Sequence, residues 1–132
     1  MAAPAEGVPR AQAGRDLALL LVATLLLRLA TALPLHAPGY MDAYYYYVGA
    51  QRIAEGQGLT EPYIWNYLRE PLSLPAPAFQ YWQPLTSFLI APFFALLGVE
   101  FRAAQAPFIL LSSLLPLIAY EASRRLSASR RR

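Results

Sequence analysis

Asp42 stands two positions ahead of four consecutive tyrosines in the stretch GYMDAYYYYVGAQRIAEGQGL, residues 39–59. A carboxylate in that setting can take a proton from a hydroxyl as a general base, or it can do no more than cap the helix it opens. Tyrosines at a membrane–water boundary serve mostly as anchors, and they also offer flat apolar faces to a bound ring. Metal chemistry has little to work with. The chain has no cysteine, and its lone His36 makes no zinc site without carboxylate help. Dependence on a divalent cation is left open, and no cofactor is implied.

The elements that must position Asp42 sit in an apolar chain. Of 132 residues, 57% are hydrophobic and only 14% charged, too apolar for an ordinary soluble domain of this size. All eleven basic residues are arginine, several of them near the two ends, which suits an anionic lipid surface and not a nucleic-acid groove. The class implied is an all-α membrane protein. Its partner is membrane lipid, with no nucleic acid.

Residues 1–16 have the Ala, Gly and Pro content of a disordered tail. Residues 17–35, apolar apart from Arg28 and two threonines, read as a first transmembrane helix of about 30 Å. A secretory signal peptide is the rival reading, since Arg10 and Arg15 precede the apolar run and the small-residue triplet Ala30-Thr31-Ala32 follows it. Residues 36–84 hold half of the acids and all but one of the tyrosines, and form an extracytoplasmic loop. Within it a surface helix is expected over about 42–55, capped by Asp42 and stopped by Gly56. Helical spacing puts Ala43, Tyr46, Tyr47, Ala50, Ile53 and Ala54 on an apolar face toward lipid or protein, and Tyr45, Arg52 and Glu55 on the other; Val48 breaks the pattern.

Residues 85–99 are apolar, short and interrupted by Pro92, which favours a re-entrant or interfacial helix. Residues 103–122 are long enough for a second span, kinked at Pro107 and Pro116. The arginines of the basic tail, 123–132, then lie in the cytoplasm with Arg10 and Arg15 by the positive-inside rule. Two crossings satisfy that arrangement. The fold expected is two transmembrane helices, an outer loop with a surface helix, and an interfacial helix, with both termini cytoplasmic.

This order resembles the start of the glycosyltransferase-C superfold, the multi-spanning enzymes that move sugars from polyprenyl-phosphate carriers, among them protein O-mannosyltransferases and aminoarabinose transferases. The likeness is carried by the span 17–35, then Asp42-Ala43-Tyr44-Tyr45, then Ala54-Glu55-Gly56-Gln57-Gly58, then Tyr81-Trp82-Gln83-Pro84-Leu85 opening a further apolar helix. It covers roughly residues 17–125, and only the first part of a family member, whose further spans and second outer-loop acid are not among these residues. In one respect it pulls against the two-span count, because the family's helix after the aromatic-Pro-Leu element usually enters the membrane.

The resemblance implies that Asp42 is the general base, with inversion at the anomeric carbon, and that a lipid-linked sugar is the donor. It also implies a plasma membrane of bacterial kind and a fragment that is inactive alone. Tyr44, Tyr45, Tyr81 and Trp82 are candidates to stack on the sugar, and Arg28 to bind its phosphate. Arg28 has two other readings, snorkelling to the headgroups or pairing with an outer-loop carboxylate. A non-enzymatic membrane anchor or scaffold is the alternative function for the whole chain.

Overall fold

The structure is a computed structural model that describes residues 10–64 and 73–129. Four helices carry most of these: α1 (Arg10–Ala32), α2 (Met41–Ala54), α3 (Leu85–Leu97) and α4 (Phe101–Ser129), with a two-residue antiparallel bridge, β1 (Thr60–Glu61) and β2 (Ala76–Pro77), between α2 and α3. In register, Thr60 faces Pro77 and Glu61 faces Ala76. A pairing this short has no alternation to show in the sequence.

Several boundaries differ from the sequence reading, each for a local reason. The first helix begins at Arg10, so residues 10–16 are helix and not tail; Ala11 and Ala13 favour it, and Ala13 is buried. It stops at Ala32 because Leu33 precedes Pro34, and the residue before a proline avoids the helical region. Helix α3 runs straight through Pro92 and ends before Gly98, whose φ of 93° suits glycine. Helix α4 passes Pro107 and Pro116 without a break and continues to Ser129, where a tail was expected from 123. Glu121 holds Arg124 at 2.8 Å and Arg125 at 2.6 Å, and such i,i+3 and i,i+4 pairs favour continued helix.

The chain divides into two units, of which α4 contributes residues 101–108 to one and the rest to the other. One unit pairs α1 with residues 109–129. The Tyr120 hydroxyl donates to Asp16 Oδ2 at 2.8 Å, and the Thr24 hydroxyl approaches the Ser113 carbonyl at 3.4 Å. Position rises along α1 as it falls along α4, so the two segments run antiparallel. Their outer surfaces are apolar: Leu19, Val22, Leu26 and Leu27 on α1, and Leu110, Leu111, Leu114, Leu115 and Ile118 on α4, are exposed. Among the described residues one helix, over Phe101–Ser127, is long and apolar enough to cross a membrane. Arg15, Asp16 and Arg28 interrupt α1.

The other unit, Leu33–Phe108, is built on the packing of α2 against α3. Ala50, Ile90, Ala91, Phe94, Ala103 and Ala104 form its core, with Tyr47, Ile53 and Ala54 packed against it. The apolar face read for α2 is therefore covered by protein. The helices approach tightly at Gly49, where an added Cβ would lie 2.8 Å from the Phe79 ring and 2.9 Å from Ser87 Oγ. Ser87 is fully buried and donates to the Tyr46 carbonyl at 2.9 Å. Small residues at 49 and 87 let the two helices meet.

Candidate functional site

Asp42 lies inside α2 and not at its cap. Tyr40, extended at φ −158° and ψ 168°, occupies the capping position, and no side chain caps the helix. The capping role read for Asp42 is thus corrected: it lies one residue past the helix start, in the first turn, where a negative charge is favoured by the helix dipole. It is partly exposed and makes no hydrogen bond or ion pair to another described residue. A carboxylate free of partners keeps its lone pairs available to an incoming hydroxyl.

The far end of α2 closes as expected. Gly56, at φ 73°, donates its N–H to the Ile53 carbonyl at 3.2 Å, and Gln57 donates to the Arg52 carbonyl at 2.8 Å. This pair of hydrogen bonds around a left-handed glycine is the Schellman stop. It turns the chain so that Arg52 Nε reaches Thr60 Oγ1 at 2.7 Å, tying β1 to the helix. With Glu55 bonded to Gln51 and Gln57, the polar face of α2 is as the spacing indicated, apart from Tyr45.

Tyr45 is the clearest departure. Placed by spacing on the polar face, it is 4% exposed. Its hydroxyl accepts the Phe79 N–H at 2.7 Å, and its ring lies 5.1 Å from Trp82, 5.7 Å from Phe79 and 6.3 Å from Tyr63. The reason is tertiary: the loop that returns from β2 to α3 lays its aromatic residues over this side of α2, so the helix is covered on two sides. Phe79 has a φ of 60°, a left-handed conformation unusual for a phenylalanine, and the Tyr45 hydroxyl satisfies its amide there. Tyr45 is thus a packing residue whose hydroxyl holds the Phe79 backbone.

The other aromatic candidates divide. Tyr81, 64% exposed, packs edge-on against Trp82 at 4.7 Å, so the pair extends the Tyr45 cluster out to solvent. Tyr44 is half exposed and lines a recess of about 160 Å³ with Met41, Tyr45, Val48 and Tyr63. Positions 41, 44, 45 and 48 form one face of α2, and Val48, the outlier of the sequence pattern, finds its place there. Burial pushes the Tyr63 phenol well above its ordinary range, helped by Glu61 and then by Tyr45. It stays protonated and able to donate.

Sequence reasoning missed Met41, Val48 and Tyr63 as recess residues, and it missed Glu61, a carboxylate only 4% exposed in β1. The recess residues share the 41, 44, 45, 48 spacing, a signal that was present but was read only for its apolar stripe. Arg28 belongs to the helical-pair unit. It is exposed there, and the outer-loop carboxylates belong to the other unit. No group of three or more metal-binding side chains occurs among the described residues. No family model, curated protein or solved structure matches the chain.

Proposed function

We propose that the chain supplies the N-terminal part of an integral-membrane glycosyltransferase of the glycosyltransferase-C superfold, with Asp42 as general base. The observation that carries this reading is the Asp42 carboxylate itself, without a partner among the described residues, on the first turn of a helix that also lines an aromatic recess. The acceptor hydroxyl loses its proton to Asp42 as its oxygen bonds to the anomeric carbon, and the bond from that carbon to the carrier's phosphate oxygen breaks. Inversion follows from attack opposite the leaving phosphate. Tyr44 and the Tyr81–Trp82 pair, which are accessible, take the stacking role, and Tyr45 supports them from beneath.

The order of elements supports the same reading: a long first helix, a second helix with an acid in its first turn and a glycine stop, an apolar helix opened by an aromatic-Pro-Leu element, and a long apolar helix. In this reading α1 and α4 both cross a plasma membrane of bacterial kind. The antiparallel contacts of α1 with residues 109–129 suit two crossings with both termini on the cytoplasmic side. Leu33–Phe108 then faces outward, and α3, whose thirteen residues are too few for a span, lies at the interface with Leu85, Phe88 and Leu96 exposed. Arg28 sits near the outer end of α1, where its stem reaches the headgroups or the donor's phosphate.

The test is sugar transfer from a polyprenyl-phosphate donor in membranes where this chain replaces the matching N-terminal part of a family transferase. Asp42→Asn keeps size and shape and removes the basic oxygen. Turnover falls by about a hundred-fold or more at unchanged expression if Asp42 is the base. Turnover equal to that of the unsubstituted chimera would exclude it.

A further inference from the structure

We infer that the α1–α4 pair carries a binding groove for one anionic phospholipid at its arginine-rich end. Leu17, Leu117, Ile118, Glu121, Ala122 and Arg125 line an open groove of about 490 Å³ between α1 and the last turns of α4. Its wall is almost wholly aliphatic until it reaches Glu121 and Arg125. Glu121 is taken up by its neighbours: Arg124 donates to it through Nε and Nη2 at 2.8 and 2.9 Å, and Arg125 through Nε at 2.6 Å.

Arg125 therefore holds one edge of its guanidinium on Glu121, while its Nη groups make no hydrogen bond to any described residue. The side chain is 77% exposed. A fixed guanidinium with free donors matches a phosphate, which it binds through paired charge-assisted hydrogen bonds. An aliphatic trough leading to such a donor fits an amphiphile with an anionic head. The occupant is a lipid because α4 is the described helix able to cross a bilayer, and the groove runs along its final turns beside a strongly basic sequence end. Anionic lipids are enriched at the cytoplasmic surface, and each arginine near that surface adds roughly 1 kcal/mol of attraction.

This rests on α4 lying in a membrane and not on Asp42 acting as a base, so it can fail while the transferase reading stands. The experiment is native mass spectrometry of the 132-residue chain, purified in neutral detergent and titrated with phosphatidylglycerol or phosphatidylcholine of equal chain length. One phosphatidylglycerol binds per chain, preferred over phosphatidylcholine by about five-fold or more, as expected from one arginine. Arg125→Gln removes that preference. Ala122→Phe, which fills the groove without touching a charge, weakens both lipids. Equal affinity for the two lipids, or unchanged binding in either variant, overturns the proposal. Displacement of the lipid by inorganic phosphate at equal concentration overturns it too, by reducing the site to a free-anion site.

Discussion

The two units of this chain are held together by different means, and two glycines show the difference. In Leu33–Phe108, Gly49 is where α2, α3 and the Phe79 ring converge, within 3 Å of where a Cβ would be. In the helical pair, Gly14 lies in the interior of α1 with nothing within 4 Å of an added Cβ. The first unit is closed by side-chain fit: a buried serine bonded to a backbone carbonyl, a buried tyrosine holding a left-handed phenylalanine, and a ring cluster over both. The second is an antiparallel pair in which Tyr120 bonds to Asp16 and Thr24 approaches the Ser113 carbonyl, and whose outer faces are aliphatic. A unit of the first kind gains its stability from its own packing, while one of the second kind depends on what surrounds it, which in the reading above is lipid.

The largest effect on this contrast comes from filling Gly49. Gly49→Val forces a branched side chain against the Phe79 ring and Ser87 Oγ, neither of which is free to move: Ser87 is bonded to the Tyr46 carbonyl, and the Phe79 amide to Tyr45. Overpacking of this kind costs about 1–3 kcal/mol, and the upper end is expected here. Native-state hydrogen exchange reads the units separately. Protection of the α2 and α3 amides falls by that amount while the α1 amides keep theirs. Equal loss in α1 would mean that the two units unfold as one.

Next comes Tyr45→Phe, which leaves the ring cluster in place and deletes one oxygen. The Phe79 N–H, held at a φ of 60°, loses its acceptor. An unsatisfied, partly buried donor costs about 1–3 kcal/mol, so exchange in residues 76–82 accelerates accordingly. Unchanged exchange there would show that Phe79 keeps its conformation without the hydroxyl.

Such contacts also mark what the residues alone can reveal. The four helices were legible because long apolar runs and Gly56 as a left-handed stop are local signals, whereas Pro34, just beyond the end of α1, was read through. The ends were less so. The extensions to Arg10 and Ser129 depend on side-chain pairs and on burial of Ala13, which composition does not display. Asp42 was read as a cap because it is the residue type that caps, and the structure moves it inside the helix, since the backbone turns extended one residue before Met41. Tyr45 was assigned to the wrong side because a helix wheel assumes one covered face. The loop carrying Phe79 and Trp82 covers a second, and it is brought there by a two-residue bridge too short to leave a pattern.

The smallest effect, and the one of opposite sign, belongs to Gly14→Ala. Glycine in a helix interior costs about 0.5–1 kcal/mol relative to alanine, because the unfolded chain loses more freedom on ordering. At Gly49 that gain is outweighed by collision. At Gly14 no described residue opposes it, since the position is exposed and nothing described lies within 4 Å of an added Cβ. Gly14→Ala therefore slows exchange of the α1 amides around it by several-fold and leaves α2 and α3 as they were. If α1 instead loses protection, Gly14 meets a neighbour that is not among the described residues. The sign of this one substitution thus separates a helix face bounded by solvent or lipid from one on which another segment packs.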